Sequence, residues 1–239
     1  TSSRKEGNIN ENVDMDNKTF EDIFTARKVG GKWKTKKNAG PTINTASHDS
    51  NLALSADGKM LLICSDENAG DIYYSDRQPD NSWSKPQPLP GNTNSMYEEK
   101  SATLSRDQKT IYFSSNRPGG FGEIDIYKVT KDEKGNWNNP KNLGSKINTP
   151  DDDDGPFIDY DGKTLYFSSR AHKGMGGFDI FKTVSNDKGE WSDPENIGYP
   201  INTPDNDIYY VATKSGERAY YASIGEDALG YEDIYMITV

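Results

Sequence analysis

Cysteine is almost absent from this 239-residue chain: Cys64 stands alone, so no internal disulfide can brace it, and its thiol says nothing of its compartment. Long apolar runs are missing as well. None approaches the roughly 18 residues of a membrane span, so no direct membrane insertion is expected. Basic charge is short, with 28 Lys and Arg against 38 Asp and Glu and a net charge of −10, which argues against nucleic acid as a partner because phosphate neutralisation needs a basic face. Only residues 1–40 run basic, with 9 Lys and Arg against 6 Asp and Glu. Aliphatics are scarce too: Leu, Ile, Val and Phe make up 40 of 239 residues, about 17%, below the level at which composition alone flags disorder. Against that stand 14 Tyr and 4 Trp, large side chains that can build a core when their polar tips find partners.

The placement of those aromatics is periodic. An Asp-Ile-aromatic triplet recurs at Asp22, Asp71, Asp125, Asp179 and Asp233, at spacings of 49, 54, 54 and 54. Eleven or twelve residues after the first four stand Trp33, Trp83, Trp137 and Trp191, so all four Trp share one repeat position. Eleven residues further come Asn44, Asn94, Asn148 and Asn202, and thirteen beyond those a turn: Asp57-Gly58, Asp107-Gln108, Asp161-Gly162 and Ser215-Gly216. An apolar stretch ending in small residues follows each turn, as in Ile111-Tyr112-Phe113-Ser114-Ser115.

Each unit reads as four short strands: one before the turn, one after it, the Asp-Ile-aromatic segment, and the Trp segment ending near Leu143 or Ile197. No sustained 3.6-residue apolar stripe appears, so essentially no helix is expected. A four-stranded unit of about 54 residues cannot cover its own faces, whereas radial stacking buries them; the expected fold is therefore an all-β β-propeller. Residues 1–239 form one domain on this reading. The end of a partial first blade occupies 1–40, full blades occupy 41–90, 91–144 and 145–198, and 199–239 is a last blade lacking its outer strand. Ser2-Ser3-Arg4 matches Ser168-Ser169-Arg170, so the chain is expected to open at the end of a second strand, giving a five-bladed, N-terminally incomplete ring. The alternative is four-bladed, with the Trp33 strand closing the last blade.

Strand alternation puts the loops into each first strand, and the loops between second and third strands, on one face. The former carry Asp49, Glu98, Glu99, Asp151, Asp152, Asp153, Asp154, Asp205 and Asp207. The latter carry Arg4, Arg117, Arg170, the glycine pairs Gly119-Gly120 and Gly176-Gly177, and exposed-looking Phe121, His172, Met175 and Tyr231. This face is the expected partner-binding surface, its acids either focusing field on a cation or basic peptide or, more simply, capping loop amides. Asp151, Asp152, Asp153 and Asp154 are four adjacent acids, a weak candidate for a hard cation, although the register fails the EF-hand loop. The repeated Asp of the third strands are assigned to hydrogen bonding with the adjacent loop. Enzyme signatures fail: there is no Gly-x-Ser-x-Gly, no His-Glu-x-x-His, and the glycines do not space as a dinucleotide or phosphate loop, so no catalytic residue and no cofactor is expected. A two-carboxylate glycosidase stays open, because its acids have no fixed spacing.

The segments Lys100 to Val129 and Gly155 to Thr183 carry Ser-x-Asp-x-Lys or its Asp-Gly-Lys counterpart, then aliphatic-Tyr-Phe-Ser-Ser, then the glycine cluster before Asp-Ile-aromatic. In this they resemble the TolB-type, WD-like β-propeller repeat. The long unit, with Trp-x-x-Pro and Ile147-Asn148-Thr149-Pro150-Asp151, is similar to the propeller module of Bacteroidetes envelope proteins that also carry an OmpA-like domain, among them a type IX secretion component. The resemblance implies a non-catalytic protein-binding or scaffolding module of a larger periplasmic, outer-membrane-associated protein. Its partner would be a protein of the cell envelope, and peptidoglycan would be reached only through a separate domain. The competing expectation is a carbohydrate-active hydrolase or glycan-binding propeller.

Overall fold

The computed structural model describes residues 2–3, 7–9, 13, 17, 19–66, 70–224 and 232–238, the side chains of 2–3 excepted. They are all strand, turn and loop, with no helix among them. The strands are β1 (Ser2–Ser3), β2 (Asp22–Thr25), β3 (Lys28–Val29), β4 (Lys32–Trp33) and β5 (Lys37–Asn38), then β6 (Asp49–Leu54), β7 (Met60–Ser65), β8 (Asp71–Asp76) and β9 (Gln87–Pro88). After these come β10 (Glu99–Leu104), β11 (Thr110–Ser115), β12 (Asp125–Thr130), β13 (Lys141–Asn142), β14 (Asp153–Ile158), β15 (Thr164–Ser169), β16 (Asp179–Val184) and β17 (Glu195–Asn196). The last are β18 (Asp207–Ala212), β19 (Arg218–Ser223) and β20 (Asp233–Thr238).

Three antiparallel sheets run β6-β7-β8-β9, β10-β11-β12-β13 and β14-β15-β16-β17 in chain order, and a fourth, β18-β19-β20, has three strands. This is the propeller arrangement the repeat predicts. Ahead of them β1, β2 and β5 form a smaller sheet, with Ser2 opposite Ile23 and Ser3 opposite Asp22. Ser114 and Ser115 face Ile126 and Asp125 in the same register, so β1 holds the position of a second strand beside β2. β5 pairs with β2, and β3 with β4 in a separate hairpin.

Two details differ from the sequence reading. The innermost strands begin at the repeated acid, which the repeat places in a loop, and each carries a bulge near its start, as between Glu99 and Ala102. The outermost strands are only two residues long, and Trp83, Trp137 and Trp191 sit in isolated bridges before them.

Stacking of neighbouring sheets builds the core. Ile72, Ile126 and Ile180 are fully buried, the last two in clusters formed mostly by the following blade. Ile234, at the same position of the last sheet, is 66% exposed, because no described sheet packs on that face. The recurring Asn is a staple. Asn148 Oδ1 accepts from Ile126 N at 2.8 Å while its Nδ2 donates to Ile126 O at 2.9 Å, and Asn44, Asn94 and Asn202 do the same to Ile23, Ile72 and Ile180. Each entering loop is thereby pinned to the third strand of the preceding sheet, with both backbone groups of one residue satisfied.

Candidate interaction face

The start of β6 lies opposite the end of β7, which lies opposite the start of β8, and the same holds in the sheets that begin with β10, β14 and β18, so the two loop classes named from the sequence do share one face. What their acids do there is largely internal. Asp125 accepts from Phe121 N at 2.6 Å and Gly122 N at 3.2 Å, and Asp179 from Met175 N at 2.8 Å and Gly176 N at 3.1 Å. In these two blades the third-strand Asp therefore caps the adjacent loop, as expected. Glycine is required for that wrap. A Cβ on Gly120 would stand 1.8 Å from Asp125 Oδ2, and one on Gly122 would stand 2.3 Å from the carbonyl oxygens of Thr149 and Asp151.

The acids that open the inner strands are also spent on caps. Asp153 Oδ2 accepts from Thr149 N at 2.5 Å and Thr149 Oγ1 at 2.8 Å, and Asp49 and Asp207 hold Thr45 and Thr203 alike. Glu99 holds Ser95 N at 2.9 Å. Glu99, Asp153 and Asp207 are fully buried, so the expectation that they face a partner is corrected: a carboxylate turned inward onto its own loop has no surface to offer. Burial pushes the carboxyls of Asp49 and Asp153 up to about 6 and raises that of Asp207.

The run Asp151 to Asp154 does not form one site, and the cation candidacy is corrected with it. Strand geometry sends successive side chains apart. Asp151 is exposed; Asp152 pairs with Arg170 at 3.4 Å; Asp153 caps its loop; Asp154 is buried and accepts from Ser101 Oγ and, at 2.6 Å, from Ser114 Oγ. Ser101 and Ser114 belong to the preceding sheet, so Asp154 is a polar rivet between blades. Among the described residues no three His, Cys, Asp or Glu side chains converge as metal ligands.

Arg117 and Arg170 are not equivalent. The guanidinium of Arg117 lies over Phe113 and Tyr127, at 4.9 and 5.2 Å from the ring centroids, and donates to Glu99 Oε1 at 2.8 Å and to Thr93 O. Arg170 sits one position earlier in its loop, its guanidinium 4.3 Å from the centroid of Phe178. In the fourth blade His172 fills the place over the aromatics, 5.7 Å from Phe167 and 5.2 Å from Phe181, with Nε2 2.9 Å from Ile147 O. Cys64 is half-buried and its thiol is pushed up to about 12 by burial, which keeps it protonated and inert.

The face that remains available is more apolar than the sequence suggested. Phe121, Met175, Asp205 and Asp151 are exposed there and Glu98 partly so, joined by residues the sequence reading missed: Met96, 81% exposed, Tyr97, and Tyr199, 80% exposed. Met96 and Tyr97 stand where the two following units have Pro150-Asp151 and Pro204-Asp205, and this break in the repeat was the signal for them. Arg4 and Tyr231 lie outside the described residues. Towards the axis, Tyr209 holds a left-handed φ of 58° in the bulge of β18, its ring against Gly155, where a Cβ would stand 3.2 Å from Tyr209 Cδ1. The charge of Asp154 and burial raise its phenol.

No protein-family model matches the chain, and no curated protein does. Solved structures do match in fold. TolB from Acinetobacter baumannii superimposes with a TM-score of 0.54 at 13% identity, over 86% of this chain and 44% of TolB, so the chain spans less than half of that protein. An endo-arabinase from Bacteroides thetaiotaomicron matches with a TM-score of 0.53 at 17% identity, over 87% of this chain and 81% of the enzyme. An alpha-L-arabinofuranosidase from Lactobacillus brevis gives 0.50 at 12% identity, over 85% and 78%. At such identities the likeness is one of architecture alone. The chain has a TolB-like β-propeller fold.

Proposed function

We propose that the chain is a non-catalytic binding and scaffolding propeller, a module of a larger periplasmic, outer-membrane-associated protein that presents its loop face to a protein partner of the cell envelope. One observation carries the reading: Asp49, Glu99, Asp153, Asp154 and Asp207 are consumed in loop caps and a blade rivet, while Met96, Phe121, Met175 and Tyr199 stay exposed. Exposed large apolar side chains rimmed by polar groups mark association surfaces. The envelope location, and with it a role in type IX secretion, rests on the sequence resemblance together with the TolB-like fold.

Capture from envelope extract tests it, comparing the native chain with a Phe121→Ser, Met175→Ser, Asp151→Asn variant. A partner retained by the first and lost by the second supports the proposal; no specific partner for either removes it. The second reading, a carbohydrate-active propeller, is favoured by the arabinase and arabinofuranosidase matches. Such chemistry needs two solvent-reaching carboxylates across a sugar. Release of reducing ends from arabinan by the purified chain would establish it over the first.

A further inference from the structure

One face of the last sheet is apolar from edge to edge, and no described sheet covers it. Ile208 lies opposite Ala222 and Ala222 opposite Ile234, while Val211 lies opposite Tyr220 and Tyr220 opposite Met236. Side chains two apart along a strand share a face, so the two rows form one surface. Val211, Ile234 and Met236 are exposed on it, and Ile208, Tyr220 and Ala222 are half-buried. In the fourth blade, whose matching face is covered by the last sheet, the rows are Asp154-Ser168-Ile180 and Phe157-Tyr166-Lys182. Ile208, Ala222 and Met236 thus stand where a covered blade has Asp154, Ser168 and Lys182. A face left in water is expected to gain polar residues, and this one has lost them.

The edge and backbone of β20 lack the same neighbour. β8, β12 and β16 each carry an outer strand, whereas β20 ends its sheet among the described residues, and such an edge is a template for a further strand. Asn44, Asn94, Asn148 and Asn202 clamp the backbone N–H and C=O of Ile23, Ile72, Ile126 and Ile180, and among the described residues no Asn holds Ile234 in that way. Each of these Asn is followed by Thr or Ser and, five residues on, by an acid: Asp49, Glu99, Asp153 or Asp207. The pattern occurs nowhere else in the 239 residues, and all four copies are engaged. Neither this chain nor a second copy of it has a staple to spare, so the occupant lies outside these residues.

We propose that the last sheet is a second docking surface, which seats a blade-like segment of a protein partner. That segment supplies an outer strand to β20, an Asn-Thr or Asn-Ser loop that clamps Ile234, and an inner strand whose apolar side chains cover the two rows. Residues 141–158 meet the same three needs for the third sheet: Lys141 and Asn142 pair with β12, Asn148 clamps Ile126, and Ile158 packs in the cluster of Ile126. This surface is separate from the loop face and does not depend on the reading made of it.

Amide chemical-shift titration of the whole chain tests the proposal, using a synthetic peptide with the sequence of residues 137–158 and the same peptide carrying Asn148→Ala. The expected result is shifts confined to 207–212, 218–223 and 232–238, a rise in melting temperature at saturation, and at least tenfold weaker binding of the Asn148→Ala peptide. Ile234→Asp and Val211→Asp, both at exposed positions of the chain, should each weaken binding at least tenfold without unfolding it; the peptide variant keeps the test decisive should either fail to fold. Equal affinity for the two peptides, shifts at the third sheet instead of the last, no binding, or binding undiminished in both Asp variants would each overturn the proposal. A dimer of the native chain in sedimentation that Ile234→Asp dissolves would overturn it as well, by making a second copy the occupant.

Discussion

Trp191 and Trp33 occupy the same position of the repeat, yet replacing them by Ala should have unequal costs. Trp191 is 9% exposed, lies edge-on to Tyr112 of the preceding blade at 6.1 Å between centroids, and belongs to the cluster of Phe167, Leu165 and Ile147. Trp33 is 59% exposed in the β3-β4 hairpin, with Lys28 over its ring at 5.6 Å. A buried Trp removes about 200 Å² from water, which at about 25 cal/mol per Å² is roughly 4–5 kcal/mol, in line with about 3–5 kcal/mol for truncations to Ala in cores. Trp33 buries less than half as much, for about 1–2 kcal/mol. A domain of this size loses about 2–4 °C of Tm per kcal/mol, so Trp191→Ala should lower Tm by about 6–20 °C and Trp33→Ala by only a few degrees. Thermal unfolding followed by far-UV circular dichroism measures both. Equal shifts, or an unchanged Tm for Trp191→Ala, would show that inter-blade packing is not what the Trp position supplies.

Two further outcomes follow from buried carboxylates. Because burial raises Asp49 and Asp153 to about 6 against an ordinary value of 3.8, the folded state binds protons more tightly than the unfolded state. Their contribution therefore favours folding more as pH falls from about 6 towards 4: Tm should be higher at pH 5 than at pH 7.5, and Asp153→Asn should raise Tm at pH 7.5 and flatten the profile. A Tm that falls steadily from pH 7.5 to pH 5 would contradict this. Asp154→Ala removes the acceptor that Ser101 Oγ, Ser114 Oγ and Gly155 N share, leaving them only the bonds among themselves, and should cost about 1–3 kcal/mol, whereas Asp151→Asn should stay within about 0.5 kcal/mol, both read by urea unfolding. Similar values for the two would refute the rivet.

The repeat made much of this architecture legible. Spacings of 54 between Asp-Ile-aromatic triplets and the place of every Trp define a four-stranded unit, and hairpin turns such as Asp161-Gly162 follow from local backbone chemistry that a sequence displays directly. The caps made by Asp125 and Asp179 were legible for the same reason, since each reaches only a few residues back.

Which acids reach solvent was not legible, because it depends on where a strand begins. Moving the start of β14 to Asp153 turns that carboxylate onto Thr149 and sends Asp154 towards Ser101, 53 residues away in sequence. Nor was the role of His172: only the fold shows that it takes the place over Phe167 and Phe181 that Arg117 takes over Phe113 and Tyr127. Period and composition alone determined the unit, its four strands and the sharing of its core between Tyr, Trp and thin aliphatic layers, because those are set by contacts within about 54 residues. Only the tertiary structure decided burial and rivets, because each is made where two blades meet.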